Sequence, residues 1–196
     1  MDIKKLADVK DRFADYEKIF NSGDYDKAAD ILSAILERIE ECTDERKAGT
    51  MDDTFVKKSD MDGRPIYISL NHVMEYYVYA CYFEPDVLCT ELPVGEYYRT
   101  YGSLCLKISK FRRAEDAFKK AICWNPVDLD SYLGLAECYK NLNMLSRYLD
   151  VTKQAYRFCC SRATMARYYR NMGFYYVARY NTEAARVCYT YSNIYY

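Results

Sequence analysis

A small residue recurs in this chain at an interval that few folds can produce. Gly102 is followed after 34 residues by Ala136, and Ala136 after 37 by Gly173. Each carries similar surroundings: Tyr98-x2-Tyr101-Gly102-x2-Cys105, Tyr132-x2-Leu135-Ala136-x2-Tyr139 and Tyr169-x2-Met172-Gly173-x2-Tyr176. Self-similarity at a period of about 20–50 residues is the mark of stacked supersecondary units. A small residue flanked by large ones is what two closely crossing helices need. The small residue lets the backbones approach, and the large ones fill the space beside the crossing. Each pair then leaves an apolar face that a neighbouring pair covers, so the units stack.

The apolar spacing supports helices along most of the chain. Residues 2–21 carry Ile3, Leu6, Val9, Phe13, Tyr16, Ile19 and Phe20 at threes and fours. Asn21-Ser22-Gly23-Asp24 breaks the pattern. A second helix follows to about Glu41, with Ala28, Ile31, Leu32, Ile35, Leu36 and Ile39 on one side. A further helix is expected over 69–83, where Leu70, Val73, Met74, Tyr77, Val78, Cys81 and Tyr82 recur and Asn71 or Ser69 supplies a cap. Pro85 and Pro93 bracket a connector. Six helices follow near 95–108, 111–124, 129–141, 146–160, 164–179 and 182–196. Residues 42–65 are polar and aperiodic. They read as a small hairpin around Asp62-Gly63 or as a mobile loop, the loop being preferred. Asp60-x-Asp62-Gly63 has part of a calcium loop, but Lys58 stands where the first acidic ligand would fall, so no calcium site is expected.

The second helix of the first full repeat runs Ala114-x3-Phe118-x2-Ala121 and exits through Asn125-Pro126. Equivalent residues are Ala155 in the second repeat and Ala185-x3-Tyr189 in the third. These motifs resemble the tetratricopeptide (TPR) repeat, well over 95–196 and partly over 9–42, where Asn21 to Ala28 is similar to that family's inter-helix turn. The second repeat lacks the family's Gly and Pro. A competing explanation is an unrelated helical bundle with chance spacing.

The resemblance implies an all-α fold of antiparallel helix pairs stacked as a right-handed superhelix, with about 8–9 helices. Residues 1–42 form a degenerate repeat, 43–94 an irregular insertion plus one helix, and 95–196 three repeats, all in one continuous domain. It also implies a concave groove lined by the first helix of each pair. That places Arg99, Ser103, Leu106 and Lys107 in the groove from the first repeat. The second contributes Leu133, Glu137, Lys140 and Asn141, and the third Arg167, Arg170, Phe174 and Val177. Five of these twelve are basic and one is acidic. The family's carboxylate clamp is only loosely echoed, because Gly134 stands where its second-repeat Asn would be.

Charge adds a second constraint. Residues 1–96 hold 12 Lys/Arg against 22 Asp/Glu, whereas 97–196 hold 16 against 7, so the overall −1 conceals halves of −10 and +9. Either two solvated faces attract each other within the fold, or the C-terminal half offers a basic surface to an acidic partner.

Catalytic chemistry finds few carriers. His72 is the only histidine, and Cys159-Cys160 is not a C-x-x-C motif. No Gly-rich phosphate loop is present. No enzyme activity, cofactor or metal is expected. The expected function is a scaffold or adaptor that holds a protein or peptide with an acidic segment. The alternative is a helical-repeat binder of single-stranded RNA, suggested by Arg and Lys mixed with Tyr in 147–180 and opposed by the acidic N-terminal half. Met1 to Leu6 is charged and lacks an apolar run, and no stretch of 18 apolar residues occurs, so neither a secretory signal nor a membrane span is expected. Nine Cys scattered through apolar stretches suit a reducing cytoplasm. Helix 182–196 ends in an aromatic run with no charge after Arg186. It is expected to pack against more than its own repeat, with a homodimer preferred over docking on the acidic half.

Overall fold

A computed structural model describes residues 9–42, 67–83 and 87–196. Helix takes up 79% of them, in nine α-helices that pack as adjacent pairs. Residues 43–66, which hold nearly all of the stretch expected to be a hairpin or loop, and the first residues of helix 2–21 lie outside the described residues. The chain divides into two compact units, one ending at Val127 and the other running from Asp128 to Tyr196.

Unit 1 begins with α1 (Val9–Ser22) and α2 (Tyr25–Cys42). Gly23 joins them at φ +89°, a conformation that lacks a Cβ penalty only for glycine. Val9, Tyr16, Leu32, Ile35 and Ile39 are buried together with Val94, Tyr97, Tyr98, Leu104 and Trp124 from α4 (Val94–Lys107) and α5 (Phe111–Trp124). Two short strands, β1 (Tyr67–Ile68) and β2 (Leu88–Cys89), pair in parallel. The described flank of the expected hairpin therefore pairs with a distant segment. Ser69 continues the tie: its N–H donates to Trp124 O at 2.8 Å, and its hydroxyl accepts from Gly95 N at 3.2 Å.

Helix α3 (Val73–Tyr82) corrects the sequence reading twice. It starts at Val73 because Ser69 is engaged with α4 and α5, and its cap is His72, whose Nδ1 accepts from Glu75 N at 3.3 Å. The apolar residues that mark its period are also not the ones it buries. The helix buries Glu75 and Tyr79 while Val73, Met74 and Tyr77 are 70%, 62% and 60% exposed. The reason is polar. Glu75 accepts from Asn71 N at 2.6 Å, Asn71 Nδ2 at 3.2 Å and Asn125 Nδ2 at 2.7 Å, and Asn125 is fully buried. A buried carboxylate supplied with three donors overrides the apolar stripe.

Unit 2 consists of α6 (Leu129–Asn141), α7 (Leu145–Ala155), a 3-10 turn (Tyr156–Phe158), α8 (Arg162–Ala178) and α9 (Thr182–Tyr195). The helix expected over 146–160 thus gives way to the tighter turn after Ala155. A capping box of Ser161 and Thr164 starts α8, where the sequence reading began the helix at 164.

The repeat is visible in the backbone. Ser109, Asn143 and Tyr180 adopt φ +59°, +57° and +57°, one at each turn within the three C-terminal pairs. Their spacings are the same 34 and 37 residues that separate Gly102, Ala136 and Gly173. At each turn the next residue's N–H reaches back to a carbonyl five residues earlier: Lys110 to Cys105, Met144 to Tyr139 and Asn181 to Tyr176, at 2.8, 2.8 and 2.9 Å.

The departure from the pattern in the second repeat has a compensating partner. A Cβ on Gly102 would meet the Phe118 ring at 3.0 Å, and one on Gly173 the Tyr189 ring at 2.8 Å. The position equivalent to Phe118 and Tyr189 in the second repeat is Thr152, fully buried. Where the opposing side chain is a ring the crossing residue is Gly, and where it is Thr the crossing residue is Ala.

Candidate partner-binding surface

In unit 1 the expected groove residues are largely engaged within the protein. Arg99 lies 3.6 Å from Glu96 on the next turn. Lys107 Nζ stands 3.8 Å above the Tyr25 ring and 5.1 Å from Phe20, so its charge is directed over the turn between α1 and α2. Ser103 is exposed.

The acidic first pair also faces the basic α4–α5 pair directly. Lys110 Nζ reaches Asp26 Oδ1 at 2.7 Å. Tyr98 Oη donates to Glu40 Oε1 at 2.6 Å, and Lys120 Nζ donates to the same oxygen. Burial works to raise the Glu40 carboxyl, but donation from Lys120 and Tyr98 together with the Lys120 charge holds it below the usual range. Burial first, and then the Glu40 carboxylate, push the Tyr98 hydroxyl far up. Part of the charge division is therefore satisfied inside unit 1.

In unit 2, contacts at two places link expected residues of α6 and α8. Glu137 accepts from Lys140 Nζ at 3.0 Å and Asn141 Nδ2 at 3.3 Å. Lys140 Nζ stands 5.0 Å from the Phe174 ring, which meets Tyr148 edge-on at 5.4 Å. Arg167 Nη1 donates to Asp130 Oδ1 at 2.9 Å, joining the two helices. The Arg167–Asp130 pair is about half exposed, so it is weakly held and open to exchange with an incoming carboxylate. Arg170 is exposed, whereas Leu133 is buried and offers little to a partner.

Sequence reasoning missed Asp130, which adds a second carboxylate to these contacts. It also missed a file of tyrosines at one end of unit 2. The rings of Tyr156 and Tyr168 lie 4.9 Å apart, those of Tyr168 and Tyr169 5.3 Å, and Tyr169 stacks on both Tyr191 and Tyr195 at 5.1 and 5.6 Å. The spacing of Tyr168 to Tyr169 and of Tyr191 to Tyr195 was available, but only the packing of α9 on α8 joins them.

In unit 2 burial pushes the Cys159 thiol up to about 11, with its neighbour Cys160 adding to the effect, and in unit 1 burial alone pushes Cys123 up to about 11, so neither of these two thiols is tuned for attack. Among the described residues no cluster of His, Cys, Asp and Glu has the makings of a metal site, and no helix is long and apolar enough to cross a membrane. No family model matches the sequence, and no curated protein does.

Proposed function

We propose that the chain is a non-catalytic helical-repeat adaptor of the tetratricopeptide type, which holds a segment of another protein. The observation that carries this reading is the mixed face of α6 and α8. Two groups lie along these helices: Arg167 with Asp130, and Lys140 with Glu137, Asn141 and the Phe174 ring, so that charge, amide and ring alternate. A peptide presents such a variety of groups. A nucleic-acid backbone presents one repeated negative charge, which Asp130 and Glu137 would repel. The exposed Val73, Met74 and Tyr77 of α3 are a further feature of protein contact surfaces. Eight described cysteines are free thiols, which suits a reducing cytoplasm.

The segment bound would be acidic, since Arg170 is exposed and Arg167 is held only by an exposed partner. The test is fluorescence anisotropy with a positional library of labelled peptides and, in parallel, a single-stranded RNA oligonucleotide across a salt series. Selection of acidic peptides, weakened tenfold or more by Arg167→Glu with Arg170→Glu, is the expected result. RNA binding that falls steeply with salt and survives loss of the peptide signal would replace this reading with the nucleic-acid one.

A further inference from the structure

We propose that the outer face of α9 docks a second copy of this chain through an antiparallel packing of α9 on α9. This face is independent of the α6–α8 face. The turns at Ser109, Asn143 and Tyr180 fix which positions of the second helix are equivalent in the three pairs. On α5 the exposed positions of this register are Asp116 and Lys120, the third being the part-buried Cys123, and on α7, with the turn that follows it, they are Asp150, Gln154 and Arg157. Every exposed one is polar. On α9 the same positions are Val187, Tyr191 and Ile194, which are 50%, 46% and 58% exposed. The residues of α7 at these positions stay exposed although α8 packs beside α7. A following helix pair would therefore not cover the α9 stripe, and whatever covers it approaches from outside the stack.

The pattern of the stripe identifies the occupant. Steps of four and then three residues form a seam for another helix. The seam is nearly symmetric about its middle, with an aromatic residue flanked by one aliphatic residue on each side. A two-fold axis near Tyr191 therefore lays the Val187 end of one helix over the Ile194 end of the other, and each copy offers the surface its partner needs. On α9 no acidic residue follows Glu183 and no basic one follows Arg186, and the charge nearest the Ile194 end is Arg162 of α8, whose Nη2 donates to Ile194 O at 2.7 Å. Size sets the strength. A 14-residue helix is about 21 Å long and covers on the order of 400 Å² per copy, half the area of a standard stable interface, so the dimer is a weak one.

Sedimentation equilibrium of the full chain tests the proposal. The weight-average mass should rise from about that of one 23.1 kDa chain toward twice that value between roughly 5 and 500 µM, as mass action requires. Val187→Glu with Ile194→Glu should hold the mass at one chain over the whole range while circular dichroism stays unchanged. The control Gln154→Glu, at the equivalent place on α7, should leave association intact. A wild-type monomer at every concentration overturns the proposal and leaves the stripe to a partner of another kind. A dimer that survives Val187→Glu with Ile194→Glu overturns it equally, because the contact then lies elsewhere.

Discussion

The two units share a turn geometry and fill their interiors with different chemistry. Unit 1 packs the aliphatic side chains of α2, with rings such as Phe13 on Tyr97 at 4.6 Å, against α4 and α5 and adds several ties of ions and amides: Glu40 to Tyr98 and Lys120, Asp26 to Lys110, and Glu75 to Asn125. Unit 2 joins its helices chiefly with rings, through Tyr132 on Phe158, Tyr148 on Phe174 and the tyrosine file from Tyr156 to Tyr195, beside the exposed Arg167–Asp130 pair. One pairing plan thus tolerates two ways of filling the space between helices, provided the small residue at each crossing is matched to its opposing side chain. Of the 23 tyrosines, 13 lie in unit 2. A ring supplies area, and its hydroxyl can find an acceptor, as Tyr148 finds Asn171 O at 2.9 Å.

The largest test of this comparison exchanges one crossing for another. Phe118→Thr should destabilise unit 1 by about 3–4 kcal/mol in urea unfolding, from the volume lost at a fully packed site. Gly102→Ala should cost about 1 kcal/mol alone and nothing in the Phe118→Thr background, a coupling that a double-mutant cycle reads directly. Gly173→Leu should cost about 3 kcal/mol by overpacking against Tyr189, and Ala136→Leu less, because Thr152 is smaller than a ring.

Next in size, Asn125→Ala should cost about 2 kcal/mol by removing a donor from the buried Glu75 carboxylate. Chemical denaturation of Asn125→Ala beside Asn125→Asp separates loss of the donor from loss of packing. Tyr180→Gly should raise stability by about 0.5–1 kcal/mol, since Tyr180 is 95% exposed and held at positive φ. Thermal melting checks it, and Asn143→Gly should gain less.

The smallest effect is a pH dependence confined to unit 1. The folded Glu40 carboxyl is held below its ordinary value of 4.5, so its stabilising contribution is present above that pH. It is lost as pH falls through the folded value. Both Glu40 and Lys120 are about half exposed, which limits the contribution to a few tenths of a kcal/mol. Comparing unfolding of the parent and Glu40→Gln from pH 7 to pH 3 should show the two curves converging at the acid end.

The pairs themselves were legible because a 3.6-residue period and a matched small residue are local signals. The features that escaped are those in which a distant partner decides. The period over 69–83 marked a helix but not which face it buries, which Asn125, about fifty residues on, decides by holding Glu75. Two-residue strands leave no alternation to read, so the pairing of Tyr67–Ile68 with Leu88–Cys89 had no sequence signal. For the candidate site, helix faces could be assigned but not their neighbours. Lys107 lies on the expected face yet is directed at Tyr25 and Phe20, and Leu133 lies on it yet is buried. The basic excess after residue 97 was plain, while its partial neutralisation by Asp26 and Glu40 needed the contact of α2 with α4 and α5.

The tie from the β1–α3 segment to the end of α5 also bears on the order in which unit 1 comes together. Turns within the helix pairs close over a few residues and form quickly, but Ser69 with Trp124 and Glu75 with Asn125 each enclose a loop of some fifty residues. The entropy of closing such a loop is recovered only after the pairs on either side exist. These contacts therefore belong to the late side of the folding barrier. Weakening them should accelerate unfolding while leaving the refolding rate nearly untouched, so that segment acts as a latch on the lifetime of the folded unit.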